Sequence, residues 1–277
     1  MVRKTRAKKT PTPSTPDFQS DKFRSLKDQE AYEKLNVLRP VWAERRVILD
    51  EVDPEIRRNF ECKGWLPLLE VEHPPPVALI REFYSNLFVH SDDSNIQFVK
   101  SWIRSEEYVI TFEVVASAFG VPLVQQLVYP YTESPHLDNI MSLITSTSIS
   151  RGIDPQVTFH ELTELNYLFF KIPCHCIWHI SHLHTIPIKR CALLYAFITN
   201  ALMSFPTLFI CSLVKVHMSS AKSHGLFFPV FIHRIHLDFG LEDFPSSEPV
   251  HIITPIGATF YWQRVAQLKS SSKRPRV

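Results

Sequence analysis

The chain has 277 residues, of which 45% are apolar and 20 are phenylalanine, so it can bury a large core and is not disordered throughout. Residues 1–9 and 266–277 hold nine of its 30 Lys and Arg residues and none of its 28 acidic ones. The formal net charge of +2 therefore leaves −7 for residues 10–265, which excludes a phosphate-binding face over the whole body but not a local basic patch.

The two ends of the chain are predicted to be disordered basic tails, over residues 1–20 and 266–277, because they cannot bury a core. Each contains a cationic cluster that resembles a nuclear-import signal, read by importin, or an arm that contacts nucleic acid. The residues are Arg3, Lys4, Arg6, Lys8 and Lys9 at one end and Lys273, Arg274 and Arg276 at the other. A tail that only improves solubility is the alternative.

Residues 21–265 are predicted to form one mainly α domain, an irregular multi-helix globular unit with a small β-hairpin. Pro and Gly breakers near 125–157 allow a sub-boundary there. The first strong periodicity is the i, i+4, i+8 spacing of Leu79, Phe83 and Leu87, which predicts an amphipathic helix.

A β-hairpin is predicted next, from apolar residues between Ile96 and Phe112 that flank the charged tip Arg104–Glu107. Thr111 is then predicted to cap a short helix that ends at Gly120, with Pro122 just beyond it.

The second half is predicted to be helical near 158–171, 174–183, 187–201, 205–218 and 227–239. Residues 191–214 contain no charged side chain and have the length of a membrane span. Ser204 followed by Phe and Pro206 is typical of a helix start, which divides the run into two buried helices. We therefore expect no membrane partner.

Cys174, Cys176, His179 and His182 are the candidate metal ligands, since Cys and His are the preferred zinc ligands. They lack the loop of about a dozen residues that separates ligand pairs in zinc fingers, so buried structural residues are the favoured interpretation and no metal is predicted. His160-Glu161 resembles half of a zincin helix but has Glu164 where the second His belongs. Asp92-Asp93 is interpreted as a turn or a cap, not as a pair of metal-binding carboxylates.

Glycine-rich cofactor and catalytic motifs are excluded, because no two of the six glycines lie closer than 15 residues apart. We therefore predict no cofactor and assign no catalytic residue, although a triad assembled from distant residues stays open. The five cysteines have irregular spacing, and the N-terminus lacks an apolar segment. Both features predict a nuclear or cytoplasmic protein in a reducing compartment.

Several blocks resemble the plant transposon protein domain, a family encoded by retroelement-derived open reading frames and comparable to plant mobile domains. The most specific block is Leu79–Leu87, which resembles the family's Arg-Glu-Phe-Tyr motif. The others are Trp42–Arg46 with Gly64-Trp65, Val99–Trp102 with Val109–Phe112, Phe119–Pro122, Arg190–Ile198 and Leu226–Pro229. The Arg-Gly expected after the valine of the hairpin is absent. The resemblance covers about residues 40–245 and implies a mainly helical domain without implying a reaction.

The leading hypothesis is therefore a non-enzymatic interaction module of retroelement origin, associated with nucleic acid through its tails or with a protein partner. An element-encoded enzyme or its inactive remnant is one alternative. A domesticated nuclear scaffold or silencing factor is another, and it depends on analogy alone.

Overall fold

The computed structural model describes residues 18–70, 75–92, 95–131, 133, 135–145, 156–178, 185–240, 249–251 and 253–259. The first half contains helices α1 (Leu26–Lys34), α2 (Pro54–Cys62), α3 (Val77–Ser85), α4 (Phe112–Phe119) and α5 (Leu137–Ile144), with strands β1 (Phe88–Asp92), β2 (Asn95–Ile103) and β3 (Glu106–Ile110). The second half contains α6 (Glu164–Cys176), α7 (Ile188–Ile198), α8 (Phe205–Met218) and α9 (Pro229–Asp238), with the short strands β4 (Gln156–Thr158) and β5 (Thr185–Pro187). The mainly helical prediction is confirmed.

The predicted hairpin is confirmed as β2 and β3, which are antiparallel. Its turn, Arg104-Ser105, has φ values of +48° and +69°, as two-residue hairpin turns require. A third strand, β1, pairs antiparallel with β2 on the other side. The helical spacing predicted a helix through Leu87, but α3 ends at Ser85. Leu87 is buried outside the helix, and the chain then turns into β1.

Local capping signals correctly located α4. The Thr111 side chain accepts a hydrogen bond from Val114 N, and Gly120 ends the helix in the left-handed region at φ +61°. The prediction that Pro173 separates two helices is wrong, because α6 continues through Pro173 to Cys176. Pro173 lies in the last turn, where its carbonyl accepts from Ile177 N and Trp178 N, and the surrounding side chains are buried.

The core is rich in aromatic residues. Phe119 of α4 and Phe205 and Phe209 of α8 surround Phe231 of α9, with ring centroids 4.9–6.1 Å from the Phe231 ring. A neighbouring group places Phe197 of α7 5.0–6.0 Å from Phe60 and Trp65. Aromatic pairs at these distances stabilise a fold beyond the contribution of their buried area. Many of the phenylalanines therefore serve to pack the core.

The uncharged run 191–214 is divided as the sequence predicts. Asn200 adopts φ +54° after α7, and the Ser204 side chain caps α8 by accepting from Thr207 N. In the described part of the chain, no helix combines the length and apolar character that crossing a bilayer requires.

Candidate functional site

The polar residues of the most distinctive block, Arg81–Asn86, are used to join chain segments. The Glu82 carboxylate accepts a hydrogen bond from Arg104 N at the hairpin turn, at 2.7 Å. The Tyr84 hydroxyl donates to the carbonyl of Phe227, at 2.8 Å, just before α9. Both side chains are buried, and burial raises the pKa of Glu82 to about 7. These contacts fix the hairpin and α9 against α3.

Asn86, at the end of α3, extends the same network. Its amide donates to the carbonyls of Trp102, at 2.7 Å, and Lys22, at 2.8 Å, while its side-chain oxygen accepts from Arg24 N at 3.2 Å. One buried side chain therefore joins the first described segment of the chain to strand β2. The block therefore joins the first described segment, the hairpin and α9.

Two further charged residues are buried for the same purpose. The Glu44 carboxylate accepts from Val230 N at 3.0 Å and Phe231 N at 3.1 Å, and so caps α9 from a distant segment. Burial raises its pKa to about 7. The Arg39 guanidinium donates to the carbonyl of His224 at 2.6 Å.

The candidate metal residues are only partly described. Cys174 and Cys176 are both buried on α6, and burial raises the pKa of Cys174 to about 12 and that of Cys176 further. The Cys176 thiol donates to the carbonyl of Arg45 at 3.1 Å. Residues two apart on a helix do not face each other, so these thiols point to different sides. His179 and His182 lie outside the described residues, and the described ones contain no group of three or more potential metal ligands.

The other acidic motifs also have structural surroundings. The Glu161 carboxylate accepts from both N and Oγ1 of Thr158, at 2.6 and 2.9 Å, which makes a capping box instead of a zincin site. Asp92 is exposed at the end of β1, and Asp93 lies outside the described residues, as do all the cationic tail residues proposed to contact nucleic acid or importin.

The outer face of the three-stranded sheet is a site that the sequence interpretation missed. Along β2, Val99, Ser101 and Ile103 are buried, whereas Phe98, Lys100 and Trp102 point the other way and are partly exposed. Phe98, Trp102 and the adjacent Val109 of β3 lie outside the core cluster of the described residues. The sequence of β2 contains this alternation, but it predicted only a hairpin. The exposed face became apparent once β1 was placed beside β2.

Strand β1 adds two more rings to this face. Phe88 pairs with Lys100 and is 44% exposed, and His90 pairs with Phe98. The His90 and Phe98 rings are stacked, with centroids 4.5 Å apart and planes 12° apart. We call Phe88, His90, Phe98, Lys100 and Trp102 the aromatic sheet face.

Cations lie directly over two of these rings. The Arg24 guanidinium carbon is 5.3 Å from the centroid of Phe88, and Lys100 Nζ is 5.7 Å from that of Phe98. Each of these cations also forms an ion pair. Lys100 contacts Glu107 at 2.9 Å, and Arg24 contacts Asp28 at 3.9 Å. The face therefore alternates flat rings and cations with little net charge.

A shallow groove of about 570 Å³ continues from this face towards the start of α4. It is lined by His90, Asp92 and Phe98 on one side and by Phe112 and Glu113 on the other. The Thr111 hydroxyl lowers the pKa of the Glu113 carboxyl, so this end of the face is acidic at neutral pH.

Comparisons with family models, with curated proteins and with solved structures found no match for this chain.

Proposed function

We propose that this protein is a non-enzymatic interaction module of retroelement origin that associates with nucleic acid through its basic tails. The observation that carries the proposal is how the ionisable residues are used. Glu44, Glu82 and Arg39 are committed to hydrogen bonds within the core, while the excess positive charge lies in residues 1–9 and 266–277. Each of these groups already bonds to backbone groups of a distant segment, which supports a structural use for it.

The origin is proposed from the resemblance to the plant transposon protein domain. In this chain, the residues that resemble the family's Arg-Glu-Phe-Tyr motif lie on α3, where they hold other chain segments by hydrogen bonds. Nuclear entry through importin is part of the proposal, since both tail clusters are typical of such signals.

The test is binding of the full chain to a fluorescent oligonucleotide across a salt series, followed by fluorescence anisotropy. We expect affinity to fall steeply between about 50 and 200 mM salt, because tail cations release counterions from the phosphates. A variant without residues 1–17 lacks five of the nine tail cations and should lose about half of that salt dependence. An unchanged salt dependence in this variant, or no binding by the full chain, would contradict the proposal.

A further inference from the structure

We infer that the aromatic sheet face is a stacking surface for the bases of single-stranded nucleic acid. This inference depends on the proposed function and adds a binding surface on the folded domain to the tails. It is carried by the arrangement around Lys100, which has Phe88 opposite it on β1 and Phe98 and Trp102 two residues before and after it on β2.

The rings provide the sequence-independent part of such binding. Bases of every type have a flat π surface, so partly exposed aromatic side chains on a sheet can stack with them without reading their edges. Phe88 and His90 are exposed, and Phe98 and Trp102 are partly exposed. In a duplex the base faces are covered by neighbouring bases, so this surface should favour single strands.

The cations favour nucleic acid over a protein partner. Lysine is depleted from the centre of protein–protein interfaces, yet Lys100 lies in the middle of this face. Arg24 borders it over Phe88. Lys100 and Arg24 form surface ion pairs with Glu107 and Asp28, and such pairs are weak enough for the phosphates between stacked bases to replace them. Asp92 and Glu113 line the groove at the His90 end, whereas Glu107, opposite Trp102, already binds Lys100. The expected path of the strand therefore runs over Phe88 and Trp102.

The tail joins the chain close to the same face. The Asn86 amide holds the carbonyl of Lys22, and the Ser105 hydroxyl donates to the carbonyl of Asp21, so the first described residues lie against α3 and the hairpin turn. Only residues 10–17 separate the basic cluster Arg3–Lys9 from Phe18, a reach of about 30 Å at most. Tail cations and sheet rings can therefore contact one strand together.

The test compares variants of the full chain by anisotropy, with a fluorescent single strand of about 20 nucleotides and a duplex of the same length. Phe88→Ala should weaken single-strand binding roughly tenfold, and Phe98→Ala should weaken it further in combination. Phe88→Trp keeps a ring and should retain wild-type affinity. Leu202→Ala, which changes an exposed apolar residue between α7 and α8, should leave the affinity unchanged.

Salt dependence separates this inference from the proposed function. Phe88→Ala removes a base contact and no phosphate contact, so its salt slope should equal that of the wild type, whereas removal of residues 1–17 should flatten the slope. Wild-type affinity in the Phe88 and Phe98 variants, with the tail effect intact, would overturn the inference and leave the proposed function standing. No salt-sensitive binding by the full chain would overturn both.

A protein-binding face is the competing outcome. Sedimentation of each variant measures self-association in parallel. If the wild type is a dimer that Phe88→Ala dissociates, and oligonucleotide affinity is unchanged, the face is an interface between copies and the inference is wrong. Circular dichroism confirms that each variant is folded before its affinity is compared.

Discussion

Glu44 illustrates how this core uses ionisable residues. The residue is only 3% exposed, and its carboxylate accepts hydrogen bonds from two backbone N–H groups at the start of α9. Loss of hydration disfavours the charged form more than these hydrogen bonds favour it, so the pKa rises to about 7. The protonation state of one residue is therefore linked to folding.

This linkage predicts that stability falls as pH rises. The unfolded carboxyl loses its proton near pH 4.5, whereas the folded one keeps it until about pH 7. The folded state thus binds more protons in that window, and the free energy of unfolding should decrease by about 3 kcal/mol across it. Urea unfolding of the wild type and Glu44→Gln at pH 5 and pH 8 measures the contribution of Glu44.

In Glu44→Gln the decrease in the free energy of unfolding between pH 5 and pH 8 should be smaller by about 3 kcal/mol, because the amide does not titrate. His217, whose pKa is lowered by burial, titrates equally in both proteins and cancels in the comparison. Identical pH dependence in the two proteins would contradict the assignment.

Helix α4 shows which elements are specified locally. Its Thr111 cap and Gly120 end lie within the helix and its flanking residues, so the sequence predicted both boundaries. Strand β1 was not predicted, because Leu87 continues the helical spacing of α3 and the pairing with β2 is a tertiary contact. Pro173 was misread for the same reason, since burial of its neighbours outweighs its local preference to end a helix.

The two ends of α4 should contribute independently to stability. Thr111→Ala removes the side-chain cap, and Gly120→Ala forces a Cβ into the left-handed region, where nothing lies within 4 Å of it. Each change should cost about 1 kcal/mol, and the double variant about 2 kcal/mol, because the sites are about 13 Å apart. Chemical denaturation measures these values.

Thr111→Ser is the matched control for the cap and should stay close to the wild type, since its hydroxyl can still accept from Val114 N. A Gly120→Ala variant as stable as the wild type would show that the helix does not end in this conformation.

At the scale of the whole molecule, the solvent exposure of the five cysteines indicates which parts of the core a reagent can reach. All five lie in the described residues and are reduced: Cys62 is exposed, Cys211 is half-buried, and Cys174, Cys176 and Cys191 are buried. Burial keeps the Cys174 and Cys176 thiols protonated, and a protonated thiol is a poor nucleophile.

We therefore expect native protein to react with a thiol reagent in one fast step, from Cys62, and one slower step, from Cys211. The other three should react only when denaturant opens the core. Cys62→Ser should remove the fast step alone. Fast reaction of Cys174 and Cys176 in native protein would show an accessible pair and support the metal-site hypothesis.

The sequence by itself determined the charge separation between tails and body, the absence of glycine-rich motifs, and those elements whose signals are local, such as α4, the β2–β3 hairpin and the start of α8. Only the tertiary structure decided the use of the buried polar residues. Glu44 caps a helix 186 residues further along the chain, and Asn86 joins segments that are distant in sequence. The aromatic sheet face arises in the same way, because strand pairing places Phe88 and His90 beside Phe98 and Lys100. Partners of this kind are selected by packing between segments, which a local pattern of residues does not encode.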